Sequence, residues 1–168
     1  VFYPGGNLKS SRTFDMGMLV GEHLEYYEDG SLMWRYPTSD GYYNGVAEEF
    51  YEDGGIKTRI LFVNGFAEDV TTHYDEDGQV ISRIPYKHGE PDGIATYYEG
   101  DKVSMTLPYE NGKRQGFSMY YDEDGDIYRT SIFIDNQYCG SRQMSYYEKG
   151  VVSCECDIEG YLPDGEAV

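Results

Sequence analysis

The chain has 168 residues, with 31 acidic against 13 basic side chains, a net charge of −18 and a pI near 4.3. Such a surface repels nucleic-acid phosphates and anionic lipid headgroups, and no apolar run approaches the roughly 20 residues of a membrane span, so the expected partner is neither nucleic acid nor membrane but a basic protein. Tyrosine occurs 19 times, tryptophan once and glycine 21 times, a composition suited to half-exposed sheet surfaces punctuated by tight turns.

Read in chain order, one pattern returns seven times. Its aliphatic anchors are Leu8, Leu32, Ile56, Val80, Val103, Ile127 and Val152, at successive spacings of 24, 24, 24, 23, 24 and 25. A period this regular signals a repeat array. The first copy starts inside its first strand, and the third shows the whole unit. There Val46, Glu48 and Phe50 alternate with Ala47, Glu49 and Tyr51, Glu52-Asp53-Gly54 makes a hairpin turn, and Ile56, Thr58, Ile60 and Phe62 share one face of a return strand. The same return face carries Val80, Ser82, Ile84 and Tyr86, then Val103, Met105, Leu107 and Tyr109, and finally Val152, Cys154, Cys156 and Ile158. On the first strands the matching face is expected to hold Leu24 and Tyr26, Ile94 and Tyr98, and Phe117, Met119 and Tyr121. Between hairpins stand the Gly-x-x-x-Gly spacings that open at Gly17, Gly41, Gly89 and Gly112, with Gly65…Asp69 and Asn136…Gly140 as degraded forms. The predicted fold is all-β: an elongated, twisted, single-layer antiparallel meander of about seven β-hairpin repeats, continuous over residues 1–168.

Two sets of residues stand out as candidate partner-binding sites. The first is an aromatic row, one residue per hairpin: Tyr27, Tyr51, His73, Tyr97, Tyr120 and Tyr147, with Tyr3 at the start. Tyrosine is enriched at binding hot spots, and the competing reading is a structural ladder that covers the sheet. The second is an acidic edge built from the hairpin turns: Glu28 and Asp29, Glu52 and Asp53, Asp75 and Asp77, Asp122 and Asp124. Such an edge would steer a basic protein, and the competing reading is ordinary turn chemistry that also keeps the array soluble. Cys139, Cys154 and Cys156 are too few for a zinc site and too odd in number for a disulfide framework. His23, His73 and His88 belong to no nucleophile or metal constellation, and Asp122-Glu123-Asp124-Gly125-Asp126 lacks the loop length of a calcium site. The expectation is a non-enzymatic protein with no metal and no cofactor.

The strings Leu24-Glu25-Tyr26-Tyr27-Glu28-Asp29-Gly30-Ser31-Leu32, Ile94-Ala95-Thr96-Tyr97-Tyr98 and Pro108-Tyr109-Glu110-Asn111-Gly112-Lys113-Arg114-Gln115-Gly116 resemble the bacterial variant of the MORN repeat. The resemblance covers nearly the whole chain. It implies an elongated sheet of hairpins and a protein-interaction role, concretely that of an antitoxin or immunity protein blocking a basic toxin or effector. The chain lacks the Tyr-x-Gly-x-Trp core of the membrane-linked form. Choline-binding cell-wall arrays look similar too, although Trp34 is the lone tryptophan here; this keeps open a surface, cell-wall or carbohydrate-binding module that uses the tyrosine row. Mimicry of nucleic acid by the acidic edge is a third reading. Exposed sheet ends are expected to offer a route to a homodimer. The cytoplasm is the expected compartment, with periplasm and cell surface left open because the chain starts at Val1.

Overall fold

A computed structural model describes residues 1–148 and 151–158, with side chains described as far as Gln143. The return-strand face of the last repeat and the side chain of Tyr147 lie outside the described residues. Among the described residues every regular element is a β-strand, and paired neighbours run antiparallel. The chain divides into two compact units, Val1–Gly89 and Glu90 onward.

The first unit holds β1 (Ser10–Asp15), β2 (Met18–Tyr26), β3 (Leu32–Ser39), β4 (Tyr42–Tyr43), β5 (Gly45–Phe50), β6 (Ile56–Val63), β7 (Phe66–Tyr74) and β8 (Val80–Lys87). They hydrogen-bond in the order β1-β2-β3-β5-β6-β7-β8, and the short β4 pairs with β3. The second unit holds β9 (Glu90–Pro91), β10 (Gly93–Glu99), β11 (Lys102–Glu110), β12 (Lys113–Arg114), β13 (Gly116–Tyr121), β14 (Ile127–Ile134), β15 (Gln137–Glu148) and β16 (Val151–Ile158). Its order is β10-β11-β13-β14-β15-β16, with β12 on β11. Each unit is therefore an antiparallel meander, as the alternating pattern and evenly spaced turns predict.

The turns come in two kinds. Between hairpins the chain reverses over two residues that both have positive φ, as at Asn64 (51°) and Gly65 (86°). This left-handed pair matches the strand twist. The second glycine of each Gly-x-x-x-Gly spacing is not in that turn. Gly45, for example, sits at the start of β5 with φ +116°, and Asp69 takes the equivalent position at φ +61°. Within hairpins the acidic turns close differently. Tyr51 N–H reaches Gly55 O at 2.8 Å and Gly54 N–H returns to Tyr51 O at 2.9 Å. Here Gly54, with φ +89°, carries the left-handed conformation, and Asp53 is not among the residues with positive φ.

A β-bulge follows each acidic turn, and it changes which face is buried. Phe50 pairs with Ile56, but Glu49 pairs with Thr58, so Lys57 is an extra residue on the return strand. Ile81 is extra in the same way on β8, and Ser104 and Tyr128 in the second unit. A one-residue offset moves a strand's side chains to the opposite face relative to its partner. The return strands bury the predicted face, but ahead of the bulge the first strands bury the residues between the predicted ones; Tyr26, Tyr98 and Tyr121, next to the turn, are half-buried as expected and pair with the anchors Leu32, Val103 and Ile127. Val46, Ile94 and Phe117 are 51%, 62% and 59% exposed, whereas Ala47, Ala95 and Ser118 are fully buried. The expectation for the first-strand face is corrected on this point.

The core face of the first unit combines small and aromatic residues. Ala47 and Thr71 are buried, and the same face carries a group of rings. Tyr36 stacks on Trp34 at 5.0 Å and on Tyr43 at 4.7 Å, and Phe62 tilts against Tyr43 at 5.8 Å. Such pairs each contribute about 0.5–1.5 kcal/mol beyond the area they bury. In the second unit Ala95, Leu107, Ser118, Ser131, Phe133 and the free thiol of Cys139 are buried.

Candidate functional site

The acidic turns close the hairpins with a division of labour among their carboxylates. Asp29 Oδ1 accepts hydrogen bonds from Ser31 N–H at 2.8 Å and Ser31 Oγ–H at 2.7 Å. These bonds hold its carboxyl below the usual carboxylate range, the side-chain bond from Ser31 first. Asp53 Oδ1 accepts from Gly55 N–H at 2.9 Å, and Asp75 Oδ1 from Gln79 N–H at 2.8 Å. In the second unit Asp122 Oδ1 accepts from Asp124 N–H and Asp126 N–H. Asp29, Asp53, Asp75 and Asp122 thus tie the turn backbone together. Glu28, Glu52, Asp77 and Asp124 lie exposed on the same turns. Equivalent turns in one unit are two strands apart, a spacing of roughly 9.6 Å.

The aromatic set occupies two different positions of the repeat. Tyr27 and Tyr51 open the acidic turns. Each is half-buried and donates its hydroxyl to a carbonyl of the next hairpin: Tyr27 to Phe50 O and Tyr51 to Tyr74 O, both at 2.7 Å. Tyr3 does the same to Tyr26 O at 2.7 Å. The three bonds stitch successive hairpins of the first unit. The equivalent position in the next repeat is Asp75, so the stitch ends there. His73, Tyr97 and Tyr120 instead lie two residues earlier in their repeats, on the last stretch of strand, paired with Ser82, Met105 and Arg129. His73 Nδ1 lies 3.2 Å from Thr58 Oγ1, and the Arg129 guanidinium sits 5.0 Å from the centre of the Tyr120 ring. Tyr51→Phe is expected to cost about 1 kcal/mol of stability, because the Tyr74 carbonyl loses its donor. Urea denaturation measures this, and an unchanged midpoint would show that the stitch carries no net weight.

Two groupings escaped the sequence reading. One surrounds His23, which is buried on β2. Its Nε2 accepts from Arg12 Nε at 3.0 Å, which places the proton on Nδ1, 2.8 Å from Tyr43 Oη. The ring stands beside the stacked pair Tyr36 and Tyr43, 5.3 and 5.9 Å from their centres, and Glu25 is 3.3 Å from Nε2. The other is an ion trio on the opposite face. Glu48, only 7% exposed, receives Arg35 Nη2 on one oxygen and Arg59 Nε at 3.0 Å on the other. The arginines at positions 35, 59 and 83 recur in phase with the repeat, and that recurrence was the available signal. Among the described residues no three His, Cys, Asp or Glu side chains are grouped to hold a metal ion.

The architecture defines a β-hairpin repeat protein whose turns, faces and cross-hairpin bonds recur in step with the sequence period. The model of the MORN repeat variant family matches residues 19–33, 43–64 and 70–88, each run spanning an acidic turn with all or part of its flanking strands in the first unit. These matches support the MORN-repeat resemblance, and such repeats are binding modules for proteins and membranes. No curated protein matches the chain.

Proposed function

We propose that the chain is a non-enzymatic scaffold that binds another protein, and specifically an acidic antitoxin or immunity protein that covers a basic toxin or effector. The observation that carries this reading is the partition of the acidic turns. One carboxylate per turn satisfies the backbone, and its neighbours Glu28, Glu52 and Asp77 in the first unit project into solvent with no described cap role. Solvent-facing charges in excess of what the turns need raise the rate of encounter with an oppositely charged surface and select against acidic partners.

The test is the triple variant Glu28→Lys/Glu52→Lys/Asp77→Lys, which leaves the capping aspartates in place. Affinity capture from a lysate of the source organism, eluted with a salt gradient, should release one basic protein from the native chain at moderate salt. The triple variant should bind that protein at least about tenfold more weakly, with an unchanged circular dichroism spectrum. Equal retention by both chains would remove the acidic edge from the interface.

One observation favours a second reading, a carbohydrate-binding module. In the second unit an open groove of about 800 Å³ is lined by Tyr98, Tyr121, Val103, Thr96, Thr106 and Lys102. Ring faces and hydroxyls together suit a saccharide. Retention on glycan material that persists through the salt gradient and is lost in Tyr98→Ala would select this reading over the first.

A further inference from the structure

The face of the first unit that points away from the core carries an apolar surface that the acidic turns do not account for. Met18, Tyr42 and Phe66 are each more than half exposed. They pair with Asp15, Ser39 and Val63, at the end of the hairpins opposite the acidic turns. The neighbours Tyr43 and Ala67 pair with Thr38 and Phe62 of the core face, so alternation sends the side chains of Tyr42 and Phe66 to the other side. One step toward the acidic turns, Val46 and Val70 are 51% and 42% exposed on the same side. One further step brings the pair Arg35 and Arg59, whose side chains are 45% and 49% exposed on either flank of the buried Glu48. Contiguous exposed apolar residues rimmed by polar groups mark interaction surfaces.

The spacing of these rows selects the shape of the partner. Met18, Tyr42 and Phe66 recur once per repeat, as do Val46 with Val70 and Arg35 with Arg59. Equivalent residues one hairpin apart are two strands apart, roughly 9.6 Å. An α-helix rises roughly 10.5 Å over seven residues. A helix laid across the strands would therefore present one apolar side chain per heptad to each hairpin, nearly in step with the sheet. From β2 to β8 the sheet has five strand gaps, roughly 24 Å, which about 16 helical residues would cover. The row of arginines runs parallel to the apolar rows. The Arg35–Glu48–Arg59 trio carries one net positive charge in a chain of net charge −18. A partner seated on the apolar rows would meet that charge along one flank, while Glu68, paired with Leu61 on the same face and held by His88, stands between Phe66 and Val70.

We infer that the outer face of the first unit docks an amphipathic helix of a partner protein, with an apolar stripe on Val46, Val70, Tyr42 and Phe66 and carboxylates along the flank that faces Arg35 and Arg59. This surface is separate from the acidic turns and does not depend on their role. The helix-on-groove mode of recognition reads its ligand through residues spaced i, i+3, i+4 and i+7, and the hairpin period supplies the matching receptor spacing.

The experiment uses the full chain and two synthetic amphipathic peptides of about 18 residues, long enough to span the rows. Both carry leucine along one stripe; one has glutamate along a single flank and the other has lysine there. Fluorescence anisotropy at about 0.15 M salt, where long-range repulsion is screened beyond about 8 Å, reads the local preference. The glutamate-flanked peptide is expected to bind at least about tenfold more tightly than the lysine-flanked one. Val46→Asp/Val70→Asp should abolish binding of both, and Arg35→Gln/Arg59→Gln should erase the preference while leaving apolar binding. Both pairs of positions are exposed, and circular dichroism checks that the variants fold. Equal affinity for the two peptides, tighter binding of the lysine peptide, or binding untouched by Val46→Asp/Val70→Asp would overturn the inference. So would sedimentation showing a dimer of the native chain that Val46→Asp dissolves, since a second copy would then cover the face.

Discussion

Gly45→Ala is expected to lower stability by about 2–3 kcal/mol, at the glycine of the first unit where an added Cβ would meet its neighbour most closely. Two costs add at this position. Gly45 has φ +116°, beyond the range where L-residues sit comfortably. A Cβ there would also lie 3.0 Å from Pro37 Cγ and 3.4 Å from Pro37 Cβ. The proline ring is stiff and its backbone belongs to β3, so it cannot turn aside as a flexible side chain would. The comparison is Gly21→Ala, at φ +76° with nothing within 4 Å of the added carbon. That substitution pays for backbone conformation alone, about 1 kcal/mol. Urea denaturation of the two variants side by side checks the argument. Equal losses would mean that the backbone at Gly45 yields freely and that Pro37 imposes nothing.

Acidification is expected to weaken the first unit through two histidines. Burial is the main cause that pushes His23 below the ordinary imidazole value of 6.5, reinforced by the Arg12 guanidinium and opposed by Glu25. Burial also lowers His73, with Glu49 opposing and Lys57 reinforcing. Both rings bind a proton less readily folded than unfolded. Their stabilising contribution is therefore complete above pH 6.5 and is lost as pH falls below it toward the depressed folded values. The slope reaches up to about 1.4 kcal/mol per pH unit for each ring. Protonation of His23 would also set an imidazolium against Arg12, which reaches it from β1. Urea midpoints at several pH values between 7.5 and 5 should fall in the native chain. The slope should flatten stepwise in His23→Gln and in His23→Gln/His73→Gln. A native chain that holds its midpoint through this interval, or whose decline the double variant retains, would show that the rings are not the titrating groups. The general relief of acidic self-repulsion acts in the opposite direction and is common to all three chains, so their differences isolate the histidines.

Much of the architecture is legible in the residue order because it is periodic. A repeat unit made of two alternating runs and two glycine-bearing turns has few ways to fold other than a hairpin meander, since each segment is too short for a helix and each turn forces a reversal. The acidic turns were legible for the same reason: Asp-Gly and Glu-Asp strings at fixed phase mark the hairpin tips. The aromatic set was legible only as a list. Tyr27 and Tyr51 differ from His73, Tyr97 and Tyr120 by two positions in the repeat. That difference separates hydroxyls that stitch hairpins from rings that sit over the strand ends.

The residue order by itself determined that this protein is all-β, that it repeats with a nearly constant period, and that acidic turns close its hairpins. These are local properties, set by alternation, by turn chemistry and by composition. The tertiary structure alone decided which side of each first strand is core. The decision rests on one extra residue after each acidic turn, Lys57 or Ile81 for example. A bulge costs the local pattern nothing visible, yet it exchanges the two faces of the strand before it. It buries Ala47 and exposes Val46, and so it creates the apolar outer surface. Only the assembled sheet brings Arg35 and Arg59 to the two sides of Glu48 and Arg12 onto His23, because those partners belong to different strands: Arg59 meets Glu48 within one hairpin, and Arg35 reaches Glu48 only through pairing between hairpins.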